Sequence, residues 1–313
     1  MKLPRIIIIT GPTASGKTAL SLKLAKKFNG EIISADSRQI YRGMDIGTAK
    51  ASKKELKSVR HHLIDIRNPD QSYSLAEFKR DAIQAARDII SKGKVPFLVG
   101  GTALYIWAIT DNPQIPEVKP NLKLRKLLEN QLKRRGVHYL YKKLIFKDPE
   151  AAYIIDPKNP RRIIRALEIM EALNKPFSQT RNKGPKLFDF LLLGMTIPAR
   201  ELKSNIEKRA QLMIKKGLVN EIRSLTKKYP ASLSLGEAGD RENLSSMDAI
   251  GYREIIRHLK EESAPDQALE EINKNTRRFA SRQMTWFKKL PVTWIKNQKD
   301  AENKIKAFLA KAG

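Results

Sequence analysis

The 313-residue sequence has no cysteine. Without thiols it cannot be a disulfide-stapled secreted fold, hold a Cys-ligated zinc or use a thiol nucleophile. Acidic residues are scarce: 33 Asp+Glu stand against 61 Lys+Arg, a formal charge of +28 at pH 7. A field of that sign points to a polyanionic partner, nucleic acid first, then an acidic membrane or phosphorylated metabolite. Long apolar runs are also missing. Nothing approaches 18 consecutive apolar residues, so no membrane-spanning helix and no membrane partner are expected. The four isoleucines after Lys2 and Arg5 are too few for a signal-peptide core. The chain reads as cytoplasmic. Aromatics make up only 7%, yet hydrophobic residues reach 41%, enough for real cores, which excludes wholesale disorder.

The first third alternates strand and helix signals. Ile6–Ile9 is a β-branched run between Pro4 and Gly11, Glu31–Ser34 is a second strand, and Val95–Val99 a third. A helix is expected around Leu20–Phe28, closed by Asn29-Gly30, and another over Leu75–Ser91 with Ser74 as its cap. Strand–helix–strand in this rhythm predicts a parallel sheet with crossover helices. After Pro113, Pro116 and Pro120 the character changes. Residues 121–189 carry 17 basic and 7 acidic residues with little strand signal, and read as a helical insertion. Leu187–Met195 reads as a returning strand. The expectation is therefore an α/β protein: a P-loop NTPase-like parallel-sheet core (1–120 and 190–313) with a mostly helical basic insertion (121–189).

Gly11-Pro12-Thr13-Ala14-Ser15-Gly16-Lys17-Thr18 is a complete G-x-x-x-x-G-K-T loop between a strand and a helix. Its glycines let backbone amides converge on phosphate oxygens, the helix N-terminus adds a positive dipole end, Lys17 adds a point charge, and Thr18 offers a hydroxyl to Mg2+. Phosphate or diphosphate is the expected ligand. Kinase, nucleotide hydrolase and diphosphate-releasing transferase all remain open on this motif alone. Asp36 ends the second strand at the sheet edge that forms the ligand crevice, where a carboxylate can hold Mg2+ through water or act as a general base. The alternative is a turn-forming Asp. Asp65, beside His61 and His62, is a second candidate acid for Mg2+. Val99-Gly100-Gly101-Thr102 places two glycines and a hydroxyl at the same edge.

Beyond these, Ala35–Lys50 (ADSRQIYRGMDIGTAK), Asn159–Glu168 (NPRRIIRALE), Met247–Glu254 (MDAIGYRE) and Thr276–Trp286 (TRRFASRQMTW) occur in order with GPTASGKT and LVGGT. Together they resemble the bacterial tRNA dimethylallyltransferases, also called tRNA isopentenyltransferases, over nearly the whole length. The resemblance implies transfer of a dimethylallyl group from dimethylallyl diphosphate to the exocyclic amine of the adenosine 3′ of the anticodon. It implies the diphosphate rather than a nucleotide triphosphate in residues 11–18, although nucleotide or ATP binding by such a loop stays open. It also implies Mg2+ held with Thr18, Asp36 as base or acceptor-orienting group, Thr102 at the target adenosine and Arg223 at the diphosphate. Contacts to the anticodon stem-loop of tRNA are implied for Asp36, Ser37, Arg38, Gln39, Thr102, Lys123, Pro160, Arg161, Arg162, Ile163, Ile164, Gly251, Tyr252, Arg253, Arg277, Arg278, Arg282 and Gln283. The Tyr252 ring, like Trp286, reads by itself as a packing residue. A monomer is expected.

Two positions depart from the family pattern. Lys123 stands where Arg is frequent, which keeps the charge and loses the bidentate fork; Ala103 stands where Gly is common. With no cysteine, the zinc-finger extension of many eukaryotic relatives is not expected. Two other readings compete. An adenylate isopentenyltransferase would not need the basic insertion, and a phosphate-loop kinase or nucleotide-gated RNA switch would not need Asp36 within its long motif.

Overall fold

Six parallel strands run through the centre of the computed structural model, which describes residues 3–116, 118, 121–180, 182–230, 246–260 and 264–310. In chain order the first elements are β1 (Arg5–Thr10), α1 (Lys17–Lys27), β2 (Gly30–Ser34), α2 (Lys53–Ser58), β3 (His61–His62), α3 (Leu75–Ser91), β4 (Val95–Val99) and α4 (Ala103–Thr110). Two helices of the insertion follow, α5 (Leu122–Lys147) and α6 (Pro160–Leu173). The chain then forms β5 (Asp189–Met195), α7 (Ala199–Lys215), α8 (Leu218–Lys228), α9 (Tyr252–Leu259), α10 (Pro265–Phe287), β6 (Thr293–Ile295) and α11 (Gln298–Ala310). The α/β class read from the sequence is the one observed. Strands β3 and β6 went unread, having two and three residues and no alternation to detect.

The sheet order is β3-β2-β4-β1-β5-β6. Both faces are covered, which explains why β1 is isoleucine throughout its middle. Ile6 and Ile8 pack on one side with Phe78, Ala82, Ala86, Ile106 and Phe287. Ile7 and Ile9 pack on the other with Leu24, Ala25, Ala301 and Ile305. A strand buried on both faces has no polar side to alternate with. Strands β1 and β4 are neighbours whose connections leave in opposite directions, so their carboxyl ends open a crevice. Helix α3 begins at a capping box, Ser74 with Glu77, and buries Phe78, Ala82, Ala85, Ala86 and Ile89 along one stripe.

The chain divides into two compact units. The first takes the described residues of Met1–Thr110, Lys186–Ser234 and Asn243–Gly313; the second takes those of Asp111–Pro185. In the second unit α5 is interrupted at Gly136 (φ 76°), and Leu128, Leu140 and Leu144 meet Ile163, Ala166 and Leu167 of α6. Glu168, buried there, accepts a two-armed contact from Arg125 at 2.8 and 2.6 Å. The entry and exit of this unit lie side by side. Pro113 and Lys183 form an antiparallel bridge, Gly184 N–H donates to Asn112 O, and Asn112 Nδ2 donates to Pro185 O at 2.7 Å.

No helix among the described residues is long and apolar enough to cross a membrane.

Candidate active site

Three chain turns meet at the crevice of the first unit. The turn from β1 to α1 is the phosphate loop. Gly16 caps α1 in the left-handed region (φ 85°), and Ala14 adopts φ 62° without being glycine. The second turn follows β2: Asp36 Oδ1 accepts the backbone N–H of Arg38 at 2.8 Å and of Gln39 at 3.4 Å, so the carboxylate folds its own turn while staying at the strand end. The third follows β4. A Cβ on Gly100 would lie 2.1 Å from the Ala35 carbonyl oxygen, and one on Gly101 would lie 2.3 Å from Gln283 Nε2. Both glycines are dictated by close approach, the first to backbone that cannot move aside. Thr102 Oγ1 accepts the Ser37 N–H at 3.1 Å, joining the second and third turns beside Asp36.

These turns enclose a cavity of about 390 Å³. Residues 13–18, Asp36 and Gly100–Gly101 line it, together with Arg209 from α7 and Phe279 and Gln283 from α10. It also extends past Ser34 and Gln39 to Thr48, Glu55 and His61. Its electrostatics are lopsided. Lys17 Nζ donates to the Pro12 carbonyl at 2.6 Å, and the Arg209 guanidinium donates to Thr13 Oγ1 at 2.7 Å. Burial and then the Arg209 charge push Lys17 down to about 7, with Asp36 offsetting part of this. Ser15 Oγ is buried without a hydrogen-bond partner. Two crowded cations, one opposing carboxylate and an orphan hydroxyl are what a bound anion with several oxygens would satisfy.

Arg209 went unread in the sequence. It sits among ordinary helix-surface residues, and its partner Thr13 is 196 residues away. Arg223, expected at the diphosphate, is exposed on α8 and does not line the cavity. Asp65 is likewise not at the cavity; it pairs with Lys50 at 2.6 Å, and Lys50 also pairs with Asp45. His62 bonds Glu31 at 2.7 Å, whereas His61 does line the cavity, with its Nδ1–H donating to Val59 O at 2.8 Å. Burial lowers the His61 pKa.

The residues expected at RNA fall in several different settings. Asp36, Ser37, Arg38, Gln39 and Thr102 stand together at the crevice edge. Arg277, Arg278 and Arg282 lie on exposed parts of α10, with Arg277 3.3 Å from Glu207. In the second unit Lys123, Pro160, Arg161 and Arg162 are partly or fully exposed near helix starts. Four side chains depart from the expectation because the fold encloses them. Ile163 and Ile164 belong to the helical core, and Tyr252 is wholly buried with its hydroxyl donating to Glu221 at 2.6 Å. Gln283 has both amide ends engaged by backbone. Arg253 is partly exposed and bonds Glu254 at 2.7 Å; Gly251 caps α9.

Glu221 explains the length of the motif after Asp36. Its carboxylate accepts the N–H groups of Asp45, Ile46 and Gly47 at 3.1, 2.7 and 3.2 Å, besides the Tyr252 hydroxyl. That anchors the segment whose Thr48 and Lys50 border the cavity.

A family model described as IPP transferase matches residues 39–290. The chain belongs to this family. It is 42% identical to a tRNA dimethylallyltransferase of Acetivibrio thermocellus over 99% of both chains, and 44% identical to one of Roseiflexus sp. over 91% of this chain and 90% of that one. Among solved structures it is similar to a tRNA isopentenylpyrophosphate transferase of Bacillus halodurans (TM-score 0.69, 37% identity, 99% and 96% of the two chains covered). It is also similar to a eukaryotic dimethylallyltransferase acting on tRNA (TM-score 0.78, 26% identity, 99% and 80% covered). Within the first unit, the phosphate loop, the turns after β2 and β4 and helix α10 meet at one crevice from segments up to 270 residues apart.

Proposed function

We propose that this protein transfers the dimethylallyl group of dimethylallyl diphosphate to the exocyclic amine of the adenosine 3′ of the anticodon in tRNA, releasing diphosphate. The observation that carries this reading is a cavity with a cationic phosphate loop at one wall and a strand-end carboxylate at another, in a chain of the IPP transferase family. Lys17, Arg209, the loop amides and Ser15 Oγ hold the diphosphate. Their charge is already in place when negative charge builds on the departing oxygen, so little reorganisation is needed. Arg209 takes here the role expected of Arg223.

Asp36 orients the adenine amine and accepts its proton as the new C–N bond forms, and Thr102 holds Asp36's turn. An adenine amine is a weak nucleophile, so alignment with the allylic carbon supplies much of the rate. The target base must leave its stack to enter the cavity. The residues fit a Mg2+ of the kind bound mainly by substrate phosphates: the Thr18 hydroxyl and the Asp36 carboxylate offer oxygen donors beside the diphosphate site. Bound there, the ion would neutralise part of the leaving group's charge. Exposed Arg277, Arg278 and Arg282, with the basic second unit, supply phosphate contacts to the anticodon arm. The protein works in the cytoplasm as a monomer.

The test is incubation with unmodified tRNA, labelled dimethylallyl diphosphate and Mg2+, without ATP. Label is expected in the anticodon-loop adenosine. Absence of label, with hydrolysis of ATP instead, would replace this reading with a nucleotide hydrolase.

A further inference from the structure

Gln283 lies on the same face of α10 as Phe279, one turn later, and is only 5% exposed. Its Oε1 accepts the backbone N–H of Thr13 at 2.8 Å, and its Nε2 donates to the Gly101 carbonyl at 2.8 Å. One amide thus bridges the phosphate loop to the turn after β4. That turn continues into Thr102, whose hydroxyl holds Ser37, next to Asp36. An unbroken set of short contacts therefore runs from the phosphate-loop backbone through Gln283 and Thr102 to the turn of the carboxylate. A Cβ on Gly101 would lie 2.3 Å from Gln283 Nε2, so the amide occupies the space beside that turn.

We infer that Gln283 is a positioning residue that fixes the spacing between the diphosphate cradle and the acceptor carboxylate, and is not itself an RNA contact. This rests on the transferase reading above. Each end of the amide makes one hydrogen bond to backbone and the side chain is only 5% exposed, so its orientation is set by the two turns rather than by a base or phosphate. A strut of this kind acts on geometry when both substrates are bound. Its loss lets the two turns drift independently, and a displacement near 1 Å between reacting groups costs about 100-fold in rate.

The experiment is a double-mutant cycle with Gln283→Ala and Gly101→Ala, read by the single-turnover rate at saturating tRNA and dimethylallyl diphosphate and by tRNA affinity. Circular dichroism first checks that each variant is folded. Gln283→Ala is expected to slow transfer about 10- to 100-fold, with tRNA affinity changed less than threefold. Gly101→Ala should slow transfer in the parent and add little on Gln283→Ala, because the methyl then has room. Gln283→Glu, which keeps the acceptor half and sets a second oxygen against the Gly101 carbonyl, should not rescue. Gln283→Ala with an unchanged single-turnover rate, or with tRNA affinity lowered more than tenfold, would overturn the assignment, as would additive effects in the cycle. If the parent protein transfers nothing, the transferase reading fails instead. In that event the strut is read from inorganic diphosphate affinity, which Gln283→Ala should weaken and which an uninvolved residue would leave unchanged.

Discussion

Binding of diphosphate should draw a proton from solution onto Lys17. In the free protein this ammonium is held down to about 7 by burial and by Arg209, against an ordinary value of 10.5. A diphosphate oxygen in its place offsets both effects, so the bound value moves back up. The sign follows: above pH 7 the free form is mostly neutral and the bound form mostly charged, and affinity must fall as pH rises. At pH 8 a group of pKa 7 is about one-tenth protonated, so uptake is about 0.9 proton, and about 0.5 at pH 7. From pH 7 to 8 affinity then falls about fivefold, or about 1 kcal/mol, and towards about tenfold per unit, about 1.4 kcal/mol, above pH 8, from this group alone. Calorimetric titration with inorganic diphosphate in buffers of different ionisation enthalpy reads the proton number directly. The ligand titrates too, so the relevant quantity is the difference between the parent and Lys17→Met. A difference near zero at pH 8 would refute the argument, since Lys17 would then be charged before the ligand arrives.

Other outcomes are open to direct measurement. Arg209→Ala should weaken diphosphate binding about 10- to 100-fold, the loss of a charge-assisted contact, whereas Arg223→Ala should leave it within twofold by the same titration. Asp36→Asn should abolish transfer while tRNA retention on filters stays within threefold; weakened retention with normal turnover would remove Asp36 from the role of base. Neutralising Arg277 and Arg278 together should reduce the slope of log affinity for tRNA against log salt by about 1.4, roughly 0.7 per lost phosphate contact. Glu221→Ala strands three backbone N–H groups and the Tyr252 hydroxyl, and each buried donor left unmet costs about 1–3 kcal/mol. A clear drop in melting temperature is therefore expected, with Glu221→Gln intermediate.

Local chemistry was legible in the sequence. The phosphate loop declares itself because strand, glycines, lysine and helix start are contiguous, and Asp36 because it ends an apolar run. The parallel sheet was legible because β1 is apolar at every middle position. What escaped reading depends on long-range placement. Arg209 reaches Thr13 from a helix whose surface pattern is otherwise that of a solvated face, and no local spacing distinguishes it from Arg223 on the next helix. Motif membership also fails to separate contact from support. Tyr252, Ile163 and Gln283 stand in motifs shared with the family, yet they hold the turns and helices that carry neighbouring exposed residues. Phe279 is the converse case, an aromatic within the same motif whose ring borders the cavity and is one-third exposed.

The paired neck at Asn112–Pro113 and Lys183–Gly184 has a consequence for how such a chain can change. Because the chain leaves the sheet-bearing unit and returns at one tied point, the helical segment is a cassette. Its length and basic surface can vary without altering strand order, and an exchange between relatives needs only two adjacent junctions. The helical segment and the sheet edge are thereby free to change on separate schedules.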